Sequence, residues 1–98
     1  MSDIRVEESN DASLIKVASA TPAGTLGSAI SHAVQSGKPV SLRAVGAGAV
    51  NQSIKGIAIA SGYLAQLGLT LYCRPGFCNV KMPDGQELSG ILLRVEAK

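Results

Sequence analysis

Residues Val40–Leu67 read VSLRAVGAGAVNQSIKGIAIASGYLAQL, and their phasing decides the fold. Val40, Leu42 and Ala44 share one side of a period-two pattern, with Ser41, Arg43 and Val45 on the other, which predicts a half-buried strand. Gly46-Ala47-Gly48-Ala49 is a tight, sterically permissive turn. A helical pattern then runs from about Val50 to Leu67, with Val50, Ile54, Ile57, Ala58 and Leu64 apolar on one side. Gly68 closes it, since glycine tolerates the left-handed conformation past a helix end.

The pattern repeats upstream. In Leu14–Ser19, Ile15 and Val17 alternate with Lys16 and Ala18, which predicts a strand. Thr21 and Pro22 suit the cap and first position of a helix. Leu26, Ala29, Ile30, Ala33 and Val34 carry that helix to Gly37, and Pro39 stops it. Downstream, Leu69–Arg74 reads as a strand, with Pro75-Gly76 as a bulge or kink before Phe77–Met82 continues it. Pro83-Asp84-Gly85 is a turn, and Leu88–Glu96 a further strand with Ile91, Leu93 and Val95 inward.

The expected order is β-α-β-α-β-β. Right-handed crossovers place both helices on one face of a four-stranded mixed sheet, a two-layer α+β sandwich. Residues 14–98 form the domain, and the polar, aperiodic residues 1–13 are expected to be a flexible acidic tail. The same phasing sends Lys16, Arg43, Tyr72, Arg74 and Arg94 to the uncovered side of the sheet, where polar side chains belong in any case.

Composition bounds the function. The 98 residues are 46% hydrophobic and 16% charged, which excludes intrinsic disorder. Aromatics are 3%, too few for a base-stacking platform. The net charge of +2 hides an asymmetry. Asp3, Glu7, Glu8 and Asp11 against Arg5 leave residues 1–13 at −3. Lys16, Lys38, Arg43, Lys55, Arg74, Lys81, Arg94 and Lys98 against Asp84, Glu87 and Glu96 leave the remainder at +5. Such asymmetry suits contact with a polyanion, or a tail that screens such a surface. No apolar run reaches 18 residues and no secretory signal opens the chain, so a cytoplasmic protein without membrane contact is expected.

Catalytic sets do not assemble. His32 is the lone histidine and has no nucleophile motif beside it. Cys73 and Cys78 are two ligands where zinc wants about four, so structural thiols are expected, with no metal and no cofactor. The Gly46–Lys55 segment is the richest in possibilities. It is neither a P-loop nor a complete dinucleotide fingerprint. Gly46 and Gly48 permit close helix–sheet packing. They also suit phosphate binding at a helix start, with Asn51, Gln52 and Lys55 alongside. The small residues Gly56, Ala58, Ala60, Ser61 and Gly62 permit close approach of a neighbouring helix or a second subunit.

Leu14-Ile15-Lys16-Val17, the run Ala44–Lys55 (AVGAGAVNQSIK), Ile57-Ala58-Ile59-Ala60, Pro75-Gly76-Phe77 and Asp84-Gly85 together resemble the stage V sporulation protein S family. The likeness covers residues 14–98 and implies an Alba-like fold, which agrees with the order above. It further implies a dimer that binds DNA or RNA through a basic patch near the strand–helix turns. A hairpin of the last two strands, with Arg74 and Lys81 on its arms, would reach a groove. Two departures stand out: Ala20-Thr21-Pro22-Ala23 replaces the lysine pair usual before the first helix of Alba proteins, and Ser61 stands where this family often has arginine.

The expected function is a small, non-enzymatic, nucleic-acid-binding regulator of bacterial sporulation and development, working as a homodimer or higher homo-oligomer. Lys16, Arg43, Lys55, Arg74, Lys81 and Arg94 would contact phosphates, with Gly46, Gly48, Asn51 and Gln52 at the helix start. The alternative is a protein-interaction or self-assembly module with a protein partner and no direct nucleic-acid contact.

Overall fold

The computed structural model describes residues 5–8 and 13–98. Its elements are β1 (Arg5–Glu8), β2 (Ser13–Val17), α1 (Ala23–Gln35), β3 (Val40–Ala44), α2 (Ala47–Ala65), β4 (Leu71–Lys81) and β5 (Glu87–Ala97). The sheet order is β1-β2-β3-β5-β4. β2 and β3 pair in parallel and every other ladder is antiparallel. Residues 13–98 thus give the β-α-β-α-β-β order and form an α+β, two-layer, Alba-like sandwich, with β1 added at the β2 edge. The expected tail at residues 1–13 therefore holds a four-residue strand, and Ser13 belongs to β2; residues 1–4 and 9–12 lie outside the described residues.

Alternation builds the core. Ser13, Ile15 and Val17 of β2, Val40, Leu42 and Ala44 of β3, and Leu93 and Val95 of β5 are buried. Register aligns Ile15, Leu42 and Leu93 in one row. Leu26, Ile30 and Ala33 of α1, with Ile57 and Ala60 of α2, pack onto that row. Burying a Leu or Ile side chain contributes about 1.5–3 kcal/mol, so these few residues carry most of the stability of so small a core.

The helices meet through glycine. A Cβ on Gly27 would lie 2.6 Å from the Ile59 side chain, and one on Gly56 would lie 2.6 Å from that of Leu26. This contact rotates α2 away from the expected phase. Its buried stripe is Ala49, Ser53, Gly56, Ile57, Ala60 and Leu64, whereas Ile54 is 48% exposed and Ala58 faces solvent. The reason is volume: Leu26 of α1 packs onto Gly56 and Ile59 caps Gly27, so the stripe must be small where the two helices cross. The buried Ser53 hydroxyl is satisfied by donating to the Ala49 carbonyl at 2.8 Å.

Two further expectations are corrected. Thr21 does not cap α1, whose cap residue is Pro22 with no side-chain bond. Thr21 instead closes the turn after β2, its Oγ1 accepting from the Ala18 N–H at 2.9 Å. Pro75-Gly76 makes no bulge, because the β4–β5 register holds unbroken from Leu71↔Ala97 to Lys81↔Glu87. An edge strand accommodates the proline, since an edge position leaves alternate N–H groups outside the ladder. No helix among the described residues is long and apolar enough to cross a membrane.

Candidate nucleic-acid interface

The two helices cover one face of the sheet, and the strand positions between the buried ones define the other. Lys16 of β2 lies directly beside Arg43 of β3. Arg94 of β5 lies directly beside Arg74 of β4. Arg43 opposes Leu92, so Arg94, two residues on, is its diagonal neighbour. Lys16, Arg43, Arg94 and Arg74 therefore form one oblique run across four adjacent strands. With strands ~4.8 Å apart the run spans roughly 14 Å. Lys16 and Arg43 are half-buried, while Arg74 and Arg94 are exposed.

Like charges set side by side on a sheet are destabilising. One carboxylate offsets part of this: Glu96 accepts from Arg74 Nη2 at 2.8 Å and from Nε at 3.1 Å. Tyr72 opposes Glu96 across the ladder and completes the group. Its hydrogen bond to Glu96, desolvation and the carboxylate's charge raise the hydroxyl above its ordinary 10.0, with Arg74 pulling the other way. Among the described residues, Arg43 and Arg94 have no ion-pair partner.

Two concavities flank Arg94. Gly76 leaves a notch of ≈ 210 Å³ bounded by Arg74, Pro75, Leu92 and Arg94. On the other side a groove of ≈ 480 Å³ runs toward the end of α1, past Val34, Lys38, Pro39 and Glu96.

The remaining expected site residues stand apart from this run. Lys81 differs from Arg74 by an odd number of strand positions, so it lies on the opposite face of β4, where its register partner is Glu87. Gly46, Gly48, Asn51, Gln52 and Lys55 belong to the start of α2, in the helix layer. Their local roles are visible. Gly46 takes φ 91°, a conformation that a side chain would strain. A Cβ on Gly48 would stand 2.8 Å from the Ser19 Cβ, so this glycine permits close approach to the turn after β2. Gln52 Nε2 donates to the Thr21 carbonyl at 2.8 Å and ties the two helix starts together. Asn51 and Lys55 are exposed. His32 is exposed on α1, and the free Cys73 and Cys78 fall on opposite faces of β4.

One position was hidden in the expected tail. Register sets Arg5 beside Lys16, so the row Arg5, Lys16, Arg43 crosses three strands, with Glu7 in the next row beside Leu14. Only pairing could reveal this, because residues 1–13 carry no periodicity.

The Gly-Ala-Gly-Ala-Val-Asn-Gln segment, which is the cap and first turns of α2 rather than the separate turn expected at Gly46–Ala49, the two-layer sandwich and the long β4–β5 hairpin occur together in a chain whose residues 13–98 match the family model described as Stage V sporulation protein S. That match takes in every element except β1. The chain is thus a small sporulation-associated protein, a member of the stage V sporulation protein S family.

Proposed function

We propose that the protein is a non-enzymatic, cytoplasmic regulator that binds DNA or RNA through the open sheet face and works as a homodimer. The observation that carries this reading is the oblique run Lys16, Arg43, Arg94, Arg74 on four adjacent strands, in which Glu96 pairs with Arg74. Crowded cations relieve their mutual repulsion by neutralising phosphates, and such contacts position the protein without reading bases. The exposed apolar side chains Ile54 on α2 and Phe77 on β4, the latter 85% exposed, support self-association.

The test is a salt titration of binding to duplex DNA and to single-stranded RNA. Each phosphate neutralised on duplex DNA contributes roughly −0.9 to the slope of log K against log salt. Three to five contacts per subunit give a slope of about −3 to −4.5. Affinity indifferent to salt, or no binding at low salt, overturns the proposal. The second reading, a protein-interaction module, rests on the same exposed Ile54 and Phe77 and on the open edge of β4. Mass by light scattering, with a nuclease-insensitive pull-down, would favour it.

A further inference from the structure

The Arg74–Arg94 pair is a stronger feature than a polar surface requires. Two arginines directly opposite on one sheet face repel, and a surface with no task for them would avoid the pairing. The pair is also shaped. Gly76 lies two residues after Arg74 and its cross-strand partner Leu92 two before Arg94, and the missing side chain at Gly76 opens the ≈ 210 Å³ notch beside both arginines. Arginine's planar fork suits a tetrahedral oxyanion, which can accept from two such groups at once.

One anion already occupies part of this arrangement. The Glu96 carboxylate takes two bonds from Arg74 through a single oxygen, Oε1, and Tyr72 stands directly across the ladder from it. Glu96 lies beside Tyr72, whereas Arg94 lies beside Arg74, so the carboxylate engages the outer arginine only.

We propose that the Arg74–Arg94 notch is a phosphate site and that Glu96 is its built-in competitor, holding Arg74 until an incoming phosphate displaces it. The ligand class is a phosphodiester or free phosphate. The nucleic-acid form of the inference rests on the reading proposed above. The ion pair is suited to exchange: its side chains are 67% and 39% exposed, and pairs this open contribute little stability. Tyr72 is the cross-strand neighbour of Glu96, so the carboxylate keeps a polar neighbour once Arg74 is released.

The experiment compares the full chain with Glu96→Gln, Arg74→Gln and the double variant. Inorganic pyrophosphate is titrated while the Arg74 and Arg94 Nε–H signals are followed by NMR. Duplex DNA binding is measured in parallel as a function of salt. Removing an exposed competitor of this kind corresponds to a gain of about two- to fivefold. Glu96→Gln is therefore expected to tighten pyrophosphate by that factor and to make the DNA salt slope steeper by about 0.9. The double variant should lose the gain. A circular-dichroism melt confirms that each variant is folded. Equal pyrophosphate affinity in wild type and Glu96→Gln overturns the inference, even where DNA binding is strong. A pyrophosphate gain with no DNA binding in any variant upholds the anion site and overturns the nucleic-acid reading instead.

Discussion

At the scale of single residues, two groups make opposite demands on the side chain present. Gly27 and Gly56 are needed because they are small. A Cβ at Gly27 would come within 2.8 Å of the β-branched Ile59 Cβ, which cannot swing aside. Gly27→Ala is expected to destabilise by about 1–3 kcal/mol through overpacking, read as a lower midpoint in denaturant. Gly62 sits in the same helix layer, and a Cβ added there would meet nothing within 4 Å. Gly62→Ala should therefore stabilise by about 0.4–1 kcal/mol, and a loss of stability would mean that this part of α2 is covered. Tyr72 makes a demand of electronics. Its raised ionisation means that the folded state holds the proton more tightly than the unfolded chain. The associated stability is present in full below pH 10.0 and fades as pH rises through the folded-state value. An absorbance titration should show a tyrosine ionising above 10.0 that moves down in Glu96→Gln. These contacts were beyond the reach of periodicity, which sees Gly27 as a weak helix residue and Tyr72 as one exposed strand position.

At the scale of elements, what sequence pattern reads well is alternation across strands. Ile15 and Val17, Leu42 and Ala44, Leu93 and Val95 all face the helices as their period-two spacing implies. The outward set Lys16, Arg43, Arg74 and Arg94 follows from the same parity. On α2 the pattern is right for Ile57 and Leu64 but misleads for Ile54 and Ala58, because a hydrophobic stripe is weighted toward large side chains while the rest of the inner face is Ala49, Ser53, Gly56 and Ala60. The resemblance, for its part, puts Arg74 and Lys81 together on the hairpin, whereas the unbroken register through Pro75 gives them opposite parity. Gln52 shows a third limit. It reads as a phosphate-loop residue in sequence, yet its amide spans 31 positions to the Thr21 carbonyl. Gln52→Ala is expected to cost about 0.5–1.5 kcal/mol of stability with no change in the salt slope of nucleic-acid binding. A shallower slope would return this residue to the interface.

At the scale of the whole molecule, the net charge of +2 divides between two parts that the fold brings together. Register sets Arg5 beside Lys16 and Glu7 beside Leu14, so the N-terminal segment brings residues of both signs to the β2 edge of the sheet. Removing residues 1–12 takes away β1 and uncovers the β2 edge, a ready template for another chain. The truncated protein should self-associate more strongly in sedimentation. Should the acidic segment screen the basic run, the truncated protein also binds nucleic acid more tightly at low salt; unchanged affinity would refute screening.

The position of β5 has a consequence for how the chain is made. It is synthesised after both β3 and β4, yet it lies between them rather than at a rim. During translation β3 and β4 emerge with no shared neighbour, and the row Ile15, Leu42, Leu93 lacks its third member. The cooperative fold must then wait for β5, Glu87–Ala97, to leave the ribosome. A nascent chain halted after Gly85 should remain open to protease, and one extended past Lys98 by a flexible tether should close.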